Sequence, residues 1–132
     1  MYIRFQSPHP GKRGVHTGVF GLANGLGRSG ALTAEEHAAW RAGNDWYNAA
    51  YPDPTTSDPS VYDQSINPQA TAWFKSTARH LLERIPEYLE ILQAHGVECQ
   101  RVDSGAPGRI IYEDDVQIVV VPHNVSANGD DS

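Results

Sequence analysis

The chain has 132 residues, enough to bury one sizeable core and too few for two, so a single domain is expected. Apolar residues make up 39% and charged residues 20% of it, with three Trp and six Tyr, which excludes wholesale disorder. The net charge of −6 is unevenly placed: Arg4, Lys12, Arg13 and Arg28 precede the first acid, Glu35, so the first 34 residues are purely cationic and the acidic remainder repels anions.

A lone cysteine, Cys99, removes any intramolecular disulfide and any cysteine-based zinc site and fits a reducing compartment. The start, Met1-Tyr2-Ile3-Arg4-Phe5, lacks a charged leader followed by an apolar run, and no stretch has the roughly 18 consecutive apolar residues of a membrane span. A cytoplasmic protein with no membrane association is expected.

In chain order, Tyr2–Phe5 reads as a short strand, and Pro8, Pro10, Gly11 and Gly14 make residues 7–16 a loop. Thr17 is placed to cap a helix reaching about Gly27, in which Gly18, Gly21 and Gly25 each cost about 1 kcal/mol relative to Ala. Such a helix needs a partner packed closely against its small face. Thr33-Ala34-Glu35-Glu36 is a capping box and predicts a helix from about Ala34 to Ala50. Two apolar stripes run along it, one through His37, Trp40, Asn44, Tyr47 and Tyr51 and one through Ala38, Ala39, Ala42, Trp46 and Ala49, so it should be mostly enclosed. Arg41, Asp45 and Asn48 form the remaining polar wedge.

Four prolines (Pro52, Pro54, Pro59 and Pro68) make residues 52–67 a long, stiff connection wrapping the surface. A third helix is expected from Pro68 through Trp73, Phe74, Leu81, Leu82 and Ile85, broken or kinked at Pro86 and ending at Gly96. Beyond it, Val97–Asp103, Arg109–Glu113 and Val116–Val121 form an antiparallel meander. A two-residue turn at Asp114-Asp115 would pair Ile111 with Ile118 and Tyr112 with Gln117. The apolar run Val116–Val121 reads as a central strand, flanked by Tyr2–Phe5. Residues 1–122 are thus expected to be one α+β domain, with three to four helices packed on a small, mainly antiparallel sheet, and residues 123–132 a flexible tail.

Along Gly18–Gly30, Asn44–Pro54, Ala72–Lys75 and Tyr112–Pro122 the chain resembles small uncharacterised proteins encoded in high-GC actinobacterial genomes. The resemblance implies bacterial cytoplasm and attaches no activity, cofactor or site residue.

The segment His9-Pro10-Gly11-Lys12-Arg13-Gly14-Val15-His16-Thr17 combines cationic side chains, flexible backbone donors and a following helix N-terminus. That is a recipe for a phosphate or carboxylate site, and equally the composition of a solvated loop. The leading functional expectation is a non-catalytic protein that engages an anionic small molecule, or an acidic patch on a partner protein, through this loop and the first helix. Lys12, Arg13 and His16 would supply the cationic side chains and Gly14 and Gly18 close backbone approach, with Arg41, Asp45 and Asn48 lining the same cleft.

The alternative is a small enzyme acting on a phosphate ester or RNA, with His16 or His123 as proton carrier and Arg109 and Glu113 as clamp and base. Against it, a pI near 5.4 is poor for holding a polyanion, which also disfavours nucleic acid as a partner. Gly25-Leu26-Gly27-Arg28-Ser29-Gly30 matches the dinucleotide pattern by letter, yet it lacks the preceding strand and reads better as a helix end with Gly27 or Gly30 in a left-handed cap. His80, Glu83 and Glu87 share a helical face, which solvation explains without a metal, and no cofactor is called for. A homodimer closed through the second face of the Ala34–Ala50 helix is a further expectation to test.

Overall fold

Ile3 and Phe5 alternate with Tyr2, Arg4 and Gln6, and this period of two builds the strand around which the sheet assembles. The computed structural model describes residues 1–11 and 14–123. Its strands are β1 (Tyr2–Pro10), β2 (His16–Gly18), β3 (Thr71–Lys75), β4 (Gln100–Ser104), β5 (Arg109–Glu113) and β6 (Gln117–Val121), all paired antiparallel. Its helices are α1 (Val19–Ser29), α2 (Ala34–Ala50), α3 (Arg79–Leu82) and α4 (Ile85–Ala94).

The register fixes the layout. β4 occupies one edge of β1 along Tyr2–Gln6, so β3 and β2 must share the other edge in succession, β3 at Tyr2 and Ile3 and β2 from Gln6 to Pro10. The sheet continues from β3 to β6 and ends at β5. Only residues 105–108 connect β4 to β5, although these strands form opposite margins. In a flat sheet four strand spacings alone separate the margins by about 19 Å, and Ser104 and Arg109 also pair at different levels along the strands. Five Cα steps reach about 18 Å at most, so the sheet curls. The curl encloses Trp73, Ile118 and Val120, packed with Tyr2 and Val102. The opposite face carries Ile3, Phe5 and Phe74 into a larger core with Val19 and Ala23 of α1, Trp40 and Tyr47 of α2, and Ile85, Tyr88 and Leu92 of α4.

α1 packs closely on Trp40 at Gly27, where a Cβ would lie 2.5 Å from the indole, whereas Gly25, expected on a tightly packed face, looks into open space. Trp40 Nε1 donates to Asn24 Oδ1, Asn44 Nδ2 donates to the same oxygen, and the Tyr88 hydroxyl donates to Asn44 Oδ1, so one hydrogen-bonded chain ties α1, α2 and α4. The capping box forms as expected, with Glu36 N donating to Thr33 Oγ1 and Thr33 N to Glu36 Oε1. Gly30, at φ 77°, supplies the left-handed cap of α1. No helix among the described residues is long and apolar enough to cross a membrane.

Several expectations change. Residues 7–10 are strand rather than loop, because β2 folds back on them across a bulge between Gln6 and Pro10. Helix α1 starts one turn position later than a Thr17 cap implies, with Gly18 as its N-cap. Helix α2 buries only Trp40, Gly43 and Tyr47, and its alanine face is exposed, since Ala38, Ala39, Ala42 and Ala49 lose little by meeting water. Thr71–Lys75 is a strand inside the sheet, not helix: Trp73 and Phe74 point to opposite apolar cores, which suits period two. The helical run expected to break or kink at Pro86 is interrupted just before it, at Glu83 and Arg84, and Pro86 sits in the first turn of α4. The meander is only partly realised, because β4 leaves it to pair with β1, and β3 lies between β1 and β6. At the β5–β6 turn the carboxylate of Asp114 accepts from the amides of Val116 and Gln117, which lengthens the turn and pairs Tyr112 with Val119 and Glu113 with Ile118. His123 is described, and the remainder of the expected tail lies outside the described residues.

Candidate functional site

Where β3 diverges from β1 and β2 has not yet begun, the edge of β1 at Arg4 and Phe5 has no neighbouring strand, and the Arg4 guanidinium fills the wedge. Nη1 donates to the Ala72 carbonyl of β3 at 2.9 Å, Nη2 to the His16 carbonyl of β2 at 2.8 Å, and Nε to Gln6 Oε1 at 2.8 Å. Arg4 therefore stitches both strands that share this edge. Three of its five N–H groups are used, leaving one on each terminal nitrogen. Among the described residues no carboxylate lies within ion-pair distance of it. Burial pushes its pKa below the ordinary arginine value, with Tyr51, Tyr62 and Cys99 opposing the shift. A guanidinium remains protonated even so, and here it is a positive charge held in a partly dry site without a partner.

The wedge opens into a cavity of about 480 Å³ between the sheet, the starts of α1 and α2's last turns, and the connection that follows α2. Its aromatic lining is Phe5, Phe20, Tyr47, Tyr51 and Phe74. These rings brace one another: Tyr51 stacks on Phe74 at 5.2 Å, and Phe20 meets Tyr47 edge-on at 4.8 Å. Its polar lining includes Arg4, Asn24, Asn48, Tyr62 and Gln117. The Tyr51 and Tyr62 hydroxyls make no hydrogen bond among the described residues, and burial pushes both pKa values up, which keeps them protonated donors. Tyr62 also feels the charge of Asp53, the one carboxylate lining the cavity. That acid is occupied, its Oδ1 accepting from both Thr55 N and Thr55 Oγ1, which holds its pKa below the usual range.

Gly18, Val19 and Phe20 bring the N-terminus of α1 to the same cavity, and no side chain caps it. The first amides of a helix have no acceptor within it, so they add donors and the positive end of the dipole to the charge of Arg4. Gly18 matters sterically as well: a Cβ there would lie 3.3 Å from Arg4 Nη2, whose position three hydrogen bonds fix.

Of the residues expected to form a site, Gly18 and Asn48 line this cavity. Lys12 and Arg13 lie outside the described residues. Gly14 is exposed at φ 75° beside Gln69, and His16 donates through Nδ1 to the Ser7 carbonyl at 2.8 Å, closing the β1–β2 bulge. Arg41 and Asp45 are exposed on α2 and do not line the cavity; Arg41 lies over Trp40, 5.7 Å from its ring centre. Arg4 and Tyr62 were not singled out by the sequence as site residues, and Tyr51 was placed on an apolar stripe of its helix. Their signal is faint: Arg4 alternates with core residues on a strand whose second face is also covered, so its charge has to be accommodated beside apolar groups.

The residues of the enzyme alternative do not converge. Arg109 and Glu113 stand at opposite ends of β5, about 13 Å apart along a strand, and Glu113 is paired with Lys75 at 2.6 Å. His123 Nε2 donates to the Ala106 carbonyl. Burial raises the Cys99 thiol pKa, which suits an inert side chain. Among the described residues no group of three or more His, Cys, Asp or Glu side chains converges in a metal-binding arrangement. No family model matches the chain, and no curated protein or solved structure matches it either.

Proposed function

We propose that this is a non-catalytic, cytoplasmic bacterial protein that binds an anionic small molecule in the cavity headed by Arg4. The observation that carries the reading is the guanidinium itself: a positive charge fixed by three hydrogen bonds, with two free N–H groups, no carboxylate partner among the described residues, and a cavity in front of it. Two unpartnered phenol hydroxyls and an uncapped helix start add neutral donors around the same space. All of these favour a negative charge, and none requires the protein to change shape.

Binding rather than turnover is favoured by the chemistry of the lining. Among the described residues it holds no His, Cys, Lys or Ser, and the one acid there, Asp53, is engaged by Thr55 and kept ionised, which makes it a poor base. The test is a thermal-shift and calorimetric titration with carboxylates and phosphates, using wild-type protein, Asn48→Ala and Tyr51→Phe. The reading expects saturable stabilisation by an anion and weaker binding in both variants. Absence of any anion binding at millimolar concentrations, or turnover of a bound ester, would overturn it.

A further inference from the structure

Resting on the anion-binding reading, we propose that the ligand is a monocarboxylate carrying an aromatic ring, with its carboxylate on Arg4 and its ring against Phe5, Phe20 and Phe74. The charge count selects the head group. Among the described residues Arg4 is the only cation lining the cavity, and its two remaining N–H groups match in number the two oxygens of a single carboxylate. Asp53 stands on the same wall, and it repels a second negative charge, so a phosphate dianion would bring one charge more than the site neutralises. The Tyr51 and Tyr62 hydroxyls supply hydrogen bonds to carboxylate lone pairs that the guanidinium leaves open.

The walls select the body. Phenylalanines from β1, α1 and β3 line the cavity, with Phe74 stacked on Tyr51. A small, purely polar anion such as acetate or inorganic phosphate would leave that surface facing water, whereas a flat ring removes it from water. The space of about 480 Å³ accommodates a ring with a short spacer and its carboxylate.

The experiment is isothermal titration of the full chain with 3-phenylpropionate, its neutral analogue 3-phenylpropanamide, phenyl phosphate, acetate and inorganic phosphate. The expected result is that 3-phenylpropionate binds roughly tenfold or more tightly than each of the other four. Tyr51→Phe should weaken 3-phenylpropionate by roughly 10-fold to 150-fold and the amide, whose carbonyl is a neutral acceptor, by less. Gly18→Ala, which crowds Arg4 without removing its charge, should weaken the acid as well. Tightest binding of phenyl phosphate, or equal binding of acetate, would overturn the aromatic carboxylate while leaving the anion-binding reading in place. Equal binding of the acid and the amide, or no binding of any of the five, would overturn both.

Discussion

Replacing Tyr51 by Phe separates binding from stability in a way few other changes here would. The hydroxyl has no hydrogen-bond partner among the described residues, while the ring stacks on Phe74 at 5.2 Å and 28° and needs no oxygen to do so. In the unliganded protein the substitution removes a hydroxyl that is bonded to no described residue and still reaches solvent, so stability should be unchanged or higher by at most about 1 kcal/mol. For a chain of this length that corresponds to a rise in melting temperature of roughly 3–5 °C at most. In the complex the same hydroxyl donates to an anion, a bond worth about 1.5–3 kcal/mol, so Kd should rise roughly 10-fold to 150-fold. Circular-dichroism melts and calorimetry on the same samples read both quantities. A variant that melts lower by several degrees, or that binds the anion as tightly as wild type, would refute the reasoning, because the hydroxyl would then have a structural partner or no ligand.

Other predictions follow from particular contacts. Gly25→Ala places its Cβ in open space and should stabilise by about 0.5–1 kcal/mol, whereas Gly27→Ala drives a Cβ to 2.5 Å from Trp40, whose indole is tied to Asn24, and should destabilise by about 1–2 kcal/mol net; equal effects in urea titrations would contradict the α1–α2 packing. Thr33→Ala removes the N-cap of α2 and should cost about 0.5–2 kcal/mol, measured by the same titrations. Glu36 has its pKa lowered, first by the Thr33 amide and then by His95 at 2.8 Å, so its contribution is present above the unfolded carboxylate range and is lost as pH falls through the folded value; Glu36→Gln should flatten the acid limb of a stability–pH profile. Tyr88 is pushed up to about 12 by burial, so the fold keeps it protonated where the unfolded chain begins to lose the proton near pH 10. Its contribution is complete below that pH and declines as pH rises toward 12, with a limiting slope of about 1.4 kcal/mol per pH unit that unfolding at pH 9 to 11 would detect.

Local signals in the sequence were read well where the deciding atoms are neighbours in the chain. The capping box of α2 involves Thr33 and Glu36 alone, and the left-handed end of α1 needs only Gly30. The expectation that Gly18, Gly21 and Gly25 need a close partner does not hold for Gly25, which faces open space; the tight contact is at Gly27, against Trp40, a residue distant in the chain. Thr71–Lys75 was misread because Trp73 and Phe74 fit a helical spacing with Leu81 and Ile85 as readily as an alternation only five residues long. Two opposed cores decide between them, and these are assembled from distant segments. The site follows the same logic. Gly18 and the start of α1, both in the cationic N-terminal segment, line the cavity, but the cation placed on it is Arg4, which is tied to Ala72 sixty-eight positions away. Tyr51 and Tyr62 reach it from the end of α2 and the following connection, a convergence that depends on β3 parting from β1.

The most direct test of the account is a two-dimensional ¹H–¹⁵N titration of the full chain with 3-phenylpropionate, following backbone amides together with the Arg4 Nε–H. Saturable shifts concentrated on Arg4 Nε–H and the amides of Gly18, Val19 and Phe20 are the predicted result. Saturable shifts confined to residues 11–16, with Arg4 and the start of α1 unmoved, would contradict it.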